Sequence, residues 1–173
     1  RRSLVMDHDR AAICYLDLFE NTGDEVIAGP LQYTVRTDRD WSSASSDDGR
    51  PLGEGLVKGE IGLVCLQPPD SGRGSICLLV GDQGGKMKGK LVTSGNSELT
   101  LTYDVSVPAK GRLALLHWIG LRNLLAGANA DSFFESVHKR RRLFRVPLFA
   151  TNEAAFRKAL ANFDGSGLVA GGG

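Results

Sequence analysis

The chain has 173 residues, 42% of them hydrophobic, enough for one domain with a real core and too many for a chain that stays unfolded. Its 21 lysines and arginines are matched by 20 aspartates and glutamates, and the formal charge of +1 excludes a global field for nucleic acid or an anionic membrane. The 22 glycines fall between apolar runs, the composition of many short strands joined by tight turns.

Residues 1–10 are polar and charged and read as an N-terminal arm, the approach to a first strand or a contact with something outside this chain. The chain does not begin with Met, which reads as a processed or shortened product. A β domain is expected over residues 11–122. In its first strand, 11–20, Ile13, Tyr15, Asp17 and Phe19 share one face and Cys14, Leu16 and Leu18 the other, and both faces have buried character. Asn21, Thr22, Gly23 and Asp24 form a turn, expected to join this strand as a hairpin to a half-exposed one. There Leu31, Tyr33, Val35 and Thr37 alternate with Gln32, Thr34 and Arg36.

Residues 38–55 read as a long polar loop containing Trp41. Strands at 61–66 and 76–80 flank a Pro- and Gly-rich turn. A hairpin symmetric about Ser71 sets Cys65 opposite Cys77, as a disulfide or as packed thiols, and leaves Cys14 unpaired. The basic, Gly-rich link 84–90 reads as a mobile connection. The most regular stretch follows: Leu99, Leu101, Tyr103, Val105 and Val107 alternate with Thr100, Thr102, Asp104 and Ser106, one face dry and one wet. Pro108-Ala-Lys-Gly111 supplies a turn in which Gly111 is free to take positive φ. The apolar run 113–119 then suits a strand buried on both faces, and the two strands read as one hairpin.

Beyond Gly120 the pattern turns helical, giving an extension over 123–164. Asp131 caps a helix running to about Lys139. Thr151 or Asn152 caps a second, whose Phe156, Leu160 and Phe163 fall on one face. Residues 165–173 are a Gly-rich tail. Seven or so short strands followed by helices make a mainly antiparallel β-sandwich.

Two stretches resemble secreted and surface β-sandwich proteins of bacteria. Tyr15-Leu-Asp-Leu-Phe-Glu-Asn-Thr-Gly23 is similar to their first strand and turn, and residues 103–117 are similar to their final hairpin. In such proteins a helical segment ending near an Asn-Phe pair, here Asn162-Phe163, often follows. The resemblance implies an immunoglobulin-like antiparallel β-sandwich of about seven or more strands with one or two C-terminal helices. It also implies an extracellular or cell-surface location, and its motifs carry no activity.

Asp38, Asp40, Asp47 and Asp48 put four carboxylates in one loop, the donor type that binds Ca²⁺ in extracellular modules, although the spacing departs from an EF-hand and a solvated loop explains them as well. No other cofactor is expected, because Cys-x-x-Cys is absent and the three histidines are scattered. Trp41 with Tyr33 offers a stacking surface for a glycan, against the plainer reading of Trp41 as a plug over the sandwich end. Asp17 reads as a buried carboxylate paired with a turn amide or an arginine rather than as a catalytic acid. His117 reads as a satisfied histidine, since no Gly-x-Ser-x-Gly nucleophile motif accompanies it. Lys139, Arg140, Arg141, Arg142 and Arg145 form the densest charge on the chain, suited equally to an acidic neighbour such as the Asp-rich loop of another copy or to a solvated face. One aromatic among them, Phe144, is too few to stack nucleic-acid bases. No apolar run reaches the 18 or so residues of a membrane span. The expectation is a non-enzymatic extracellular or surface module that assembles with copies of itself or docks in a larger structure. The alternatives are a module for carbohydrate or another cell-surface ligand, and an accessory domain of a secreted hydrolase.

Overall fold

The structure is a computed structural model that describes residues 1–7, 12–38, 40–46, 63–67, 75–81, 84–122 and 158–163. Among them run nine strands: β1 Arg2–Asp7, β2 Ala12–Glu20, β3 Ile27–Arg36, β4 Ser43–Ser46, β5 Leu63–Gln67, β6 Ser75–Leu79, β7 Lys90–Ser94, β8 Glu98–Val107 and β9 Arg112–Arg122. They form a six-stranded sheet in the order β1-β2-β9-β6-β5-β4 and a three-stranded sheet in the order β3-β8-β7. Every pairing between these strands is antiparallel. The chain is therefore mainly β, as its alternation predicts. No helix among the described residues is long and apolar enough to cross a membrane.

The order of the strands differs from the expected one. β8 and β9, read as a hairpin, lie in different sheets, β8 between β3 and β7 and β9 between β2 and β6. β2 and β3 are divided in the same way. The pairs are thus nested: β2 lies against β9 in one sheet and β3 against β8 in the other. Opposite charges face each other across both, with Arg36 on Glu98 at 2.7 Å and Arg112 on Glu20 at 2.6 Å, cross-strand pairs that favour this register.

Asn21 fastens the two crossings together. Its buried amide donates to the carbonyls of Glu25 at 2.7 Å, Val107 at 3.1 Å and Pro108 at 3.0 Å, while its Oδ1 accepts from the Gly23 N–H at 3.0 Å. In the second crossing the positive φ falls on Lys110 (52°), not on Gly111. Gly111 is required for space instead, since a Cβ there would lie 2.9 Å from the Pro108 carbonyl oxygen.

Between the sheets, Leu113 and Leu115 of β9 meet Leu91, Leu99, Leu101 and Tyr103 of the smaller sheet in one apolar cluster with Trp41, Leu78 and Val80. The opposite face of β2 and β9 is buried as well, through Cys14, Leu16, Ala114, Leu116 and Trp118. That double burial is why residues 113–119 read as a continuous apolar run.

Four further expectations change. Residues 1–10, read as an arm, contribute β1 to the edge of the larger sheet. The loop 38–55 contains a strand, β4, paired with β5. The Gly-rich link is no free connection, because Gly85 and Gly89 are buried and the Met87 N–H donates to the Ala161 carbonyl at 2.8 Å. The segment bearing Leu160 and Phe163 is not helical at those positions: among the described residues there Lys158 and Ala159 are helical and Leu160 forms a parallel bridge with Ala114, while Thr151, Asn152 and Phe156 lie outside the described residues. The backbones of Cys65 and Cys77 pair as the symmetry about Ser71 predicts. The expected helix over 132–139 and the tail 165–173 lie outside the described residues.

The bridge at Leu160 introduces an unusual closure. β6 pairs with β9 only from Trp118 onward, which leaves the preceding stretch of that edge without a strand. Residues 160–163 take the place. The Ala161 N–H donates to the Ala114 carbonyl at 3.0 Å. The Asn162 side chain then serves Leu116 as a strand backbone would: Oδ1 accepts the Leu116 N–H at 3.0 Å and Nδ2 donates to the Leu116 carbonyl at 2.6 Å. Nδ2 also donates to the Val80 carbonyl at 2.9 Å, and Phe163 packs edge-on against Trp118 at 5.1 Å.

Candidate functional site

The two sheets leave a cavity of about 370 Å³ between them. Its walls are mostly apolar, Val35, Leu91, Leu99 and Leu101 among them, with Arg2, Gln32, Tyr33, Thr34 and His117 as polar members. Strand alternation delivers these groups. Arg2, Asp17 and Leu115 lie in one register row across β1, β2 and β9, and Leu4, Tyr15 and His117 in the next row on that face. Tyr33 comes from β3 in the opposing sheet.

Asp17, 5% exposed, is held by a two-pronged ion pair: Arg2 Nε to Oδ1 at 2.7 Å and Nη2 to Oδ2 at 2.8 Å. Burial works to raise the Asp17 pKa, but the Arg2 hydrogen bonds, with smaller help from Tyr33 and charges nearby, hold it below the usual carboxylate value. The Arg2 guanidinium also lies 5.7 Å from the Tyr33 ring centre and 6.0 Å from that of Tyr15, within cation–π range. Burial, and then the neighbouring carboxylate of Asp17, push the Tyr33 phenol pKa up; its buried oxygen makes no aligned hydrogen bond.

His117 is 7% exposed and stacks at a tilt on Tyr33, ring centres 4.7 Å apart. Its Nε2 lies 3.0 Å from Tyr103 Oη, and Tyr103 O–H donates to the Val80 carbonyl at 2.6 Å. Because the single phenolic hydrogen is committed to Val80, Nε2 must carry the proton that it shares with Tyr103. Nδ1 is then left as the ring's lone-pair acceptor. Burial lowers the His117 pKa to about 4, with the Asp17 charge opposing and Arg2 assisting, so the ring is neutral at ordinary pH.

Asp17 and His117, both singled out as oddities in apolar strands, thus meet Tyr33 in one place, and Asp17 has the arginine partner expected of it. Their other partners went unnoticed. Arg2 sits in what read as an arm, and Tyr103 read as a plain core residue; the one signal for Tyr103 was a hydroxyl on a buried face, which demands a partner. Trp41 is elsewhere: it is 5% exposed, belongs to the apolar cluster, and its backbone N–H donates to the Asn96 carbonyl at 2.7 Å. That is the position of a plug, with no open ring face for a sugar. Asp38 and Asp40 are exposed, and the described residues contain no group of three or more His, Cys, Asp or Glu able to hold a metal ion. Asp47, Asp48, Lys139, Arg140, Arg141, Arg142 and Arg145 lie outside the described residues. No family model matches the chain, and the curated proteins compared with it yielded no match either.

Proposed function

We propose that the chain is a non-enzymatic β-sandwich module of an extracellular or surface structure, which builds into a larger assembly with copies of itself or another partner. The observation that carries this reading is the edge strand β1. Leu4 and Met6 are 57% and 63% exposed there, in register with Tyr15 and Ile13 on the face that the smaller sheet covers further in. An exposed edge bearing large apolar side chains is a surface that soluble monomers usually blunt with charge or proline. Two antiparallel sheets around one core support the sandwich half of an immunoglobulin-like module. The division of β8 and β9 between the sheets differs from the immunoglobulin order, where the last two strands share one.

Light scattering on the purified protein, with electron micrographs of the same sample, tests the proposal. The expected mass is a multiple of the monomer, falling to the monomer in the double variant Leu4→Glu, Met6→Glu, with an unchanged β circular-dichroism spectrum. A wild-type monomer at high concentration, or a multimer indifferent to the double substitution, overturns it.

A further inference from the structure

Among the described residues the two sheets end in β1, β4, β3 and β7, and three of these edges carry a guard against further pairing. β3 sets Pro30, which has no N–H, on its outer side: the Thr37 N–H donates to the Ser97 carbonyl at 3.0 Å, so odd positions of β3 face β8 and even ones face away. β4 is 4 residues long and mostly serine, and β7 opens on the exposed Lys90. β1 has neither proline nor such brevity. The backbones of Arg1 and Leu18 exchange both their hydrogen bonds, each at 2.8 Å. Positions 1, 3, 5 and 7 therefore face β2, and the N–H and C=O groups of Arg2, Leu4 and Met6 point off the sheet. Leu4 and Met6 are also the exposed apolar side chains of this strand, while the Arg2 guanidinium is turned onto Asp17. The three outward positions are spaced symmetrically about Leu4.

We propose that β1 pairs with β1 of a second copy of this chain, antiparallel, about a two-fold axis between the two Leu4 residues, a pairing that rests on the assembly reading above and gives it a partner and a register. The six-stranded sheets of two protomers then run on as one. A two-fold axis normal to the sheet keeps every side chain on its own face, so only positions of like parity meet. Centred on Leu4, the pairing uses every residue from 1 to 7. Leu4 meets the partner's Leu4 and Arg2 the partner's Met6, each pair exchanging both hydrogen bonds, and Ser3 lies opposite the partner's Val5. At the two rims Arg1 stands opposite the partner's Asp7, a favourable cross-strand pair of opposite charges. A second copy is favoured over a foreign strand because β1 supplies both halves of the match, apolar on apolar at the centre and cation on anion at the rims.

Disulfide trapping of the full chain tests this register. Directly opposed residues in a non-hydrogen-bonded pair have Cα atoms about 4.5 Å apart, within disulfide reach, whereas diagonal neighbours at roughly 7–8 Å exceed the usual span of about 4.4–6.8 Å. Ser3→Cys and Val5→Cys are prepared separately, mixed dilute and reduced, then concentrated and oxidised. Mass spectrometry of the linked peptides separates the new bond from any made by the native cysteines. A link between position 3 of one chain and position 5 of the other is expected in the mixture, and its loss in either variant alone. Charge reversal checks the same register without cysteine: Arg1→Asp or Asp7→Arg alone sets like charges at both rims and should lower the dimer fraction, and mixing the two should restore it. A multimer that gives no such link and no such restoration has another occupant on the edge, and a link in Val5→Cys alone marks a slipped register; either overturns this inference and leaves the assembly reading standing. A monomeric native mass removes the assembly reading itself, and this pairing with it.

Discussion

The amide of Asn162 bonds three backbone groups that have no strand to pair with, and no other side chain of its size presents a donor and an acceptor side by side. Asn162→Ala should therefore cost about 3 kcal/mol in urea unfolding, the penalty of orphaning buried amides. Asn162→Asp should be no better, since a carboxylate accepts from Leu116 N–H but repels the carbonyls of Leu116 and Val80. His117 sets a pH dependence of definite sign. Its folded pKa of about 4 lies below the ordinary 6.5, so its contribution to stability is complete above pH 6.5 and is lost as the pH falls through 6.5 toward 4. The slope is on the order of 1 kcal/mol per pH unit. Asp17, also held low, adds its own loss only below the ordinary carboxylate range. Urea midpoints at pH 7, 5.5 and 4.5 should fall steadily for the native chain and stay nearly level between the first two for His117→Gln. Asp17 and His117 were legible in the sequence because a polar residue in an apolar alternation has to be paired. Their partners were not, because Arg2 and Tyr33 come from other strands and no local pattern says which strands touch.

At the scale of elements, alternation reveals which face of a strand is wet but not which strand lies beside it. The four residues from Pro108 to Gly111 suit a hairpin, the commonest use of so short a link. Here they carry the chain from one sheet to the other, with Asn21 holding the corner. The strand existed where the pattern put it; its neighbour did not. Glycines mark how closely the segment at 160–163 is fitted. A Cβ on Gly85 would lie 2.3 Å from the Asn162 carbonyl oxygen, a backbone atom, whereas one on Gly89 would meet the Leu101 Cδ1 at 2.3 Å, the end of a side chain that can turn. Gly85→Ala is expected to cost about 3 kcal/mol and Gly89→Ala about 1 kcal/mol, the two ends of the usual penalty for overfilling a packed site. Thermal unfolding of the two variants side by side checks the order; equal losses would mean that residues 160–163 give way as easily as a leucine methyl.

For the whole molecule, the antiparallel β class was legible because short apolar alternations separated by Gly and Pro leave few other folds. The nested order was not, since it depends on contacts between residues about a hundred positions apart, such as Cys14 with Trp118. Amide exchange should display that order directly. Leu115 and Leu116, central and fully buried, are expected to exchange slowest, and in the monomeric variant Leu4→Glu, Met6→Glu the amides of the edge strand β1 fastest. In the native assembly the β1 amides should gain protection, because another surface covers this edge. The closure by Asn162 finally concerns synthesis as much as stability. A ribosome delivers β9 some forty residues before Asn162, and during that interval Leu116 has no amide beside it. The larger sheet is thus completed only after residues 160–163 have followed β9 off the ribosome, which leaves the growing chain, for that interval, in the hands of whatever binds open sheet edges.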